Sequence, residues 1–110
     1  MSSGIASRRP MKGWSLGASV TGAMESFARA LAIDLAPVRV NLVSPGVVRT
    51  ELWDFVPEQE RDVLYRQIGE RLPVGRVGEP SEVAEAYVYL MKNRFSTGSI
   101  VVTDGGGLSV

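Results

Sequence analysis

The sequence predicts an α/β fold, and within it a piece of a parallel sheet rather than a whole one. Two short runs, Val38-Arg39-Val40-Asn41-Leu42-Val43 and Ile100-Val101-Val102-Thr103, are rich in β-branched residues and read as strands buried on both faces. Three segments of helical periodicity accompany them, in the order helix, strand, two helices, strand. Helices alternating with short buried strands argue for a parallel α/β sheet. Two strands are too few for a self-sufficient sheet covered by helices on both faces, so the chain reads as part of a larger one.

Each element follows from its residues. Positions 1–15 are rich in Ser, Gly, Arg and Pro and read as loop. From Leu16 onward, Val20, Ala23, Met24, Phe27, Ala30 and Leu31 fall at helical spacing, and ordinary packing into a core is the plain reading of that stripe. The helix is expected to stop near Ala36, because Pro37 disfavours helical geometry in the residue before it. Ser44-Pro45-Gly46 should end the first strand, since proline cannot donate to a ladder and glycine permits a tight bend. A second helix is predicted at about 57–71, with Glu58–Arg61 and Asp62–Arg66 at spacings that favour ion pairs. A third is predicted at about 80–92, with Pro80 at its first position and Val83, Ala84, Tyr87, Leu90 and Met91 on one face.

Composition narrows the chemistry. The 110 residues allow one domain with a modest core. A formal net charge of zero supplies no field to gather nucleic acid or an acidic membrane, so neither is expected as a partner. Arg8, Arg9 and Lys12 form the only basic cluster, which reads as a solvated loop with phosphate binding as the alternative. Without cysteine there is no disulfide framework or thiolate metal site. Without histidine, a Ser–His or Cys–His nucleophile and the usual zinc constellations are excluded. No apolar run approaches the ~20 residues of a membrane helix, and the N-terminus lacks the pattern of a signal peptide, so a cytoplasmic location is expected.

Four stretches, in order, carry a resemblance to the C-terminal half of the short-chain dehydrogenases/reductases. Ser2-Ser3-Gly4 resembles the end of that family's fifth strand. The run from Ala28 to Ala36, followed by Val38-Arg39-Val40-Asn41, resembles its helix-to-strand junction. Val43-Ser44-Pro45-Gly46-Val47-Val48-Arg49-Thr50 is similar to its nicotinamide-side loop. Gly75 to Ala84, then Ser96-Thr97-Gly98 and Val102-Thr103-Asp104-Gly105-Gly106, resemble its last helix and strand. Each motif alone marks little more than a turn. Together they cover nearly the whole chain at the right separations.

The resemblance implies a partial Rossmann-type doubly wound parallel sheet, with residues 1–110 as the C-terminal part of one domain whose N-terminal dinucleotide-binding half is absent. It implies hydride transfer between NAD or NADP and an alcohol or carbonyl in a complete parent. No G-x-G-x-x-G occurs, so this chain alone is not expected to bind the dinucleotide. In the family a tyrosine acts as general acid/base, a lysine four residues on lowers its pKa, and a serine hydrogen-bonds the substrate oxygen. Ser3 matches the serine, with Ser2 beside it as the alternative. Gly17 and Thr21 occupy the tyrosine and lysine positions. A register error does not explain this: Tyr65, Tyr87 and Tyr89 are followed four residues on by Gly69, Met91 and Asn93.

By the same resemblance Pro45, Gly46, Val48 and Thr50 would meet the nicotinamide; read without it, they form a strand-terminating turn with a capping threonine. Leu52 and Trp53, with Phe55, would line a substrate pocket or else anchor the following helix. The reading is a fragment of an NAD(P)-dependent oxidoreductase without the Tyr-x-x-x-Lys pair. The alternative is a non-catalytic oligomerisation module or pseudoenzyme, in which the helix from Leu16 forms a homo-oligomer. On the fragment reading, in-frame sequence upstream of Met1 is expected to encode a Gly-rich strand-turn-helix, and strand 38–43 is expected to present an unpaired, aggregation-prone edge.

Overall fold

The computed structural model describes all residues from Met1 to Val110. Helix α1 spans Ser15–Asp34, strand β1 Leu42–Pro45, helix α2 Glu58–Gly69, helix α3 Pro80–Lys92 and strand β2 Ile100–Thr103, with single 3₁₀ turns at Ile5–Ser7, Glu51–Trp53 and Gly107–Ser109. The two strands pair in parallel, Leu42 opposite Ile100 and Pro45 opposite Thr103. Helix α3 forms the crossover and packs Ala86 and Leu90 onto Val43, with Val83, Tyr87 and Val101 around them. The α/β class and the parallel pairing are therefore as the sequence predicts.

Strand β1 begins four residues later than its apolar pattern suggests. The segment before it is held by side chains and loop contacts instead of a ladder. Arg39 donates to the carbonyls of Leu90, Met91 and Ser96, which places a guanidinium on the C-terminal end of α3. Asn41 donates to the Ser96 carbonyl at 2.8 Å and accepts from the Ser99 N–H at 3.1 Å. Regular pairing starts only where the Leu42 N–H reaches the Ser99 carbonyl.

The other edge of β1 is not bare, contrary to expectation. The Val43 N–H donates to the Met1 carbonyl at 3.0 Å and the Ser3 N–H to the Val43 carbonyl at 2.9 Å. Ser2 thus forms a single parallel bridge to Val43 on the edge away from β2, and Leu42, Val43 and Ser44 are fully buried.

Helix α1 corrects the sequence reading more deeply. Its apolar stripe faces outward: Leu16 is 78% exposed, Val20 53% and Phe27 52%. The buried positions are Glu25 and Ala28. Arg8 donates to the Glu25 carboxylate at 2.9 Å, and Arg9 to the Gly107 carbonyl, so two of the three clustered cations fasten the N-terminal loop. Helix α3 buries Ala86, while Ala84 and Met91 face solvent. In α2 the ion pairs predicted within the helix give way to longer-range ones: Arg61 bonds Asp54, and Asp62 meets Arg49. Only 13 of 110 residues are buried, and the Cα radius of gyration is 14.9 Å, where a compact domain of this length has about 13 Å.

Two glycines test this packing. A Cβ on Gly46 would lie 2.8 Å from the Asp104 Cα, so Gly46→Ala should destabilise by about 1–3 kcal/mol through overpacking. A Cβ on Gly22 would meet only the Ser7 Cβ at 3.4 Å, so Gly22→Ala should stabilise by about 0.5–1 kcal/mol. Paired urea melts read both signs.

Candidate functional site

The end of β1 gathers three separate segments. Pairing with β1 fixes Ser3, whose hydroxyl donates to the Thr21 carbonyl at 3.0 Å. A Cβ on Gly4 would stand 3.6 Å from the Thr21 Cγ2 and 3.7 Å from the Pro45 carbonyl oxygen, so Gly4, α1 and the β1 terminus converge on one point. Thr21 itself donates back along the helix to the Ala18 carbonyl at 3.1 Å. Gly17 lies one turn earlier. Against it rests the Trp14 ring, whose Cε3 would be 3.2 Å from a Cβ at position 17. No sequence motif includes Trp14; its one signal is its place three residues before Gly17.

Beyond β1 the chain bends at Val47 and again at Arg49–Thr50, with a single parallel bridge between Val48 and Gly78. The Gly46 N–H donates to the Thr103 carbonyl, the Gly78 N–H to the Val47 carbonyl and the Arg49 N–H to the Gly78 carbonyl, each at 3.0 Å. The Val48 and Thr50 N–H groups donate to nothing in the chain. The bridge explains the first: Val47 and Arg49 bond Gly78 on either side of it, which turns the Val48 N–H to the opposite edge. The Val48 side chain is buried, which anchors the segment. Thr50 heads the 3₁₀ turn with extended backbone, φ −143° and ψ 166°, and makes no capping bond with its side chain. The capping role open to Thr50 on sequence grounds is thus not the one it plays.

The neighbours Leu52 and Trp53 part company. Trp53 is 7% exposed and packs with Tyr65 and Val77, the anchoring alternative. Leu52 is 71% exposed and lines an open polar cleft of about 670 Å³ with Thr50, Arg61 and Tyr65. Arg49 ties this region together. It pairs with Asp62 of α2 at 3.4 Å and Glu79 before α3 at 3.3 Å, and its guanidinium lies 4.7 Å from the Tyr65 ring centroid. No group of acidic residues in the chain is placed to hold a metal ion, and no helix is long and apolar enough to cross a membrane.

The perturbed titration lies at the start of α3. Arg76 grips Glu82 through two bonds of 2.6 and 2.8 Å, while the Glu82 carboxylate accepts from the Glu79 N–H at 2.9 Å. The hydrogen bond from Arg76, followed by that from the Glu79 backbone, lowers the Glu82 pKa to about 2. A carboxyl lowered in the folded state stabilises it above the ordinary value, 4.5, and loses that contribution as pH falls toward 2. NMR titration should therefore place the Glu82 midpoint near 2 in the native chain, and Arg76→Ala should move it up toward 4.5.

Comparison with known proteins agrees with this fold. Residues 1–107 match the family described as enoyl-(acyl carrier protein) reductase. The short-chain dehydrogenase/reductase ATR9 of Stachybotrys chlorohalonatus is 43% identical over 104 residues, 94% of this chain and 41% of the relative. A crystal structure of a small-chain dehydrogenase in complex with NADPH superposes with a TM-score of 0.96 at 38% identity, over 99% of this chain and 50% of that one. The MalC reductase/Diels-Alderase of Malbranchea aurantiaca superposes with a TM-score of 0.91 at 36% identity, over 99% of this chain and 42% of that one. The chain thus spans about two fifths of the length of the curated relatives it matches. Over that span, in sequence and in fold, it belongs to the short-chain dehydrogenase/reductase family.

Proposed function

We propose that the chain is the nicotinamide- and substrate-facing part of an NADP(H)-dependent short-chain oxidoreductase whose chemistry does not run through a Tyr-x-x-x-Lys pair. The observation that carries this is the free polar edge beyond Pro45 and Gly46: two N–H groups without partners, at Val48 and Thr50, and a threonine hydroxyl free of its cap. A carboxamide needs donors for its oxygen and an acceptor for its nitrogen, and this edge offers both. Such an edge fits a nicotinamide. The NADPH complex of a relative at 38% identity supports NADP over NAD. When bound, the cofactor supplies a hydride. The chain contains no Gly-rich phosphate turn, so this reading assigns it only part of the cofactor site.

The residues present limit the chemistry. Gly17 has no proton to give, and Thr21 has no charge with which to tune one. A positioned acid/base group is worth roughly 10²–10⁴ in rate, about 3–5 kcal/mol of barrier. Ser3 has its proton committed to the Thr21 carbonyl, so it polarises a substrate oxygen only by turning away from α1. The site therefore suits a hydride acceptor electron-poor enough to need no proton at the same moment. One relative is described as both a reductase and a Diels-Alderase, and a pericyclic step needs no proton transfer either.

A second reading is favoured by the outward stripe of α1. Leu16, Val20, Ala23, Phe27 and Ala30 are exposed at spacings of four and three, the pattern of a helix that packs on another helix. On this reading the chain is an oligomerisation module, or the parent a pseudoenzyme assembled through α1.

The parent protein should change NADPH fluorescence saturably on binding yet turn over simple ketones poorly. Gly17→Tyr with Thr21→Lys should raise turnover only when Trp14→Ala clears the ring from position 17. Absence of NADPH binding by the parent removes the first reading. Sedimentation should show an oligomer that Phe27→Glu dissociates; a monomeric native chain removes the second.

A further inference from the structure

Beside Gly17 lies an apolar cleft of about 380 Å³, walled by Met11, Trp14, Trp53, Phe55, Leu64 and Ile68. The Trp14 and Trp53 rings stand 5.9 Å apart between centroids, and Phe55 lies 6.0 Å from Trp53. Phe55 is 70% exposed at that position, an aromatic edge at the mouth rather than part of the core. The volume falls in the lower range of small-molecule sites, and flat rings offer the faces on which aromatic ligands stack. The rim is polar and cationic. Gln67 and Arg71 border the cleft, and Arg71 forms no ion pair, unlike Arg8, Arg29, Arg49, Arg61 and Arg76.

We infer that this cleft binds a planar aromatic ligand carrying an anionic oxygen group, with its rings against the Trp14 and Phe55 side chains that line it and the anion toward Arg71. Gly17 belongs to the same device. Because it lacks a side chain, the Trp14 ring lies against α1 and closes one wall, where a Cβ would already press on it at 3.2 Å. The position that has no acid/base residue is thus the position that lets an aromatic wall form. The inference deepens the reductase reading by naming the substrate class on its substrate side. It is tested without nicotinamide, so that the two readings fail separately.

The chain contains two tryptophans, and both line the cleft, so its two indole N–H resonances report on it directly. Titration with 2-naphthoate should shift both resonances to saturation. Its neutral amide should bind about tenfold more weakly, the worth of one charge-assisted hydrogen bond. Arg71→Gln should erase that tenfold difference and leave the affinity for the amide unchanged; Arg71 is exposed, so its removal does not disturb the fold. Cyclohexanecarboxylate, which has the charge without the ring face, should leave both indoles unmoved. Unsaturable shifts, equal affinity for acid and amide, or a tenfold preference that survives Arg71→Gln would each overturn the inference. Retained naphthoate binding in a parent that ignores NADPH would remove the reductase reading alone.

Discussion

Strand β1 is bonded along both edges, to Met1–Ser3 on one side and to β2 on the other, and it carries the fully buried residues Leu42, Val43 and Ser44. This pairing is the constraint on which the rest hangs. It fixes Ser3 at the strand terminus, seats α3 across Val43, and delivers Pro45 and Gly46 to the edge where Val48 and Thr50 keep unpaired N–H groups. Gly46 is required there by contact rather than by backbone angle, because the Asp104 backbone occupies the place of a side chain. The same strand thus supplies the core and aims the site.

On the reading proposed above, Gly17 and Thr21 stand where the family's tyrosine and lysine would be, and the structure shows what occupies those positions. Position 17 is not an empty gap. The Trp14 ring covers it, stacks toward Trp53, and joins the apolar cleft under α2. The Thr21 hydroxyl is turned back to the helix, and its carbonyl accepts a hydrogen bond from the Ser3 hydroxyl. On that reading a tyrosine side chain at position 17 would compete for the space that the Trp14 ring occupies.

Helix α1 shows how little of the apolar surface this chain buries within itself. An exposed stripe containing Leu16, Val20 and Phe27 costs free energy in water, of order 25 cal/mol for each Å² left uncovered. The buried side of the same helix holds a carboxylate, Glu25, kept in place by Arg8. A helix turned apolar face outward is stable in a folded protein when another surface covers it, which agrees with the small core and the extended shape.

Much of the fold was legible in the sequence because it depends on neighbours along the chain. Pro80 and the following periodicity set α3 to the residue, and the β-branched run at 100–103 set β2. The places of Ser3, Pro45, Gly46, Val48 and Thr50 at one end of one strand were legible too, from motif order. What only the tertiary structure decided are choices between faces. Periodicity gives α1 an apolar stripe but not the direction it faces, because burial depends on what lies opposite. Leu52 and Trp53 are alike on paper, yet one 3₁₀ turn sends Trp53 inward and leaves Leu52 in the open cleft. The sequence by itself determined that Gly17 lacks an acid/base group; only packing across the chain, with Trp14 folded onto it, decided what stands there instead.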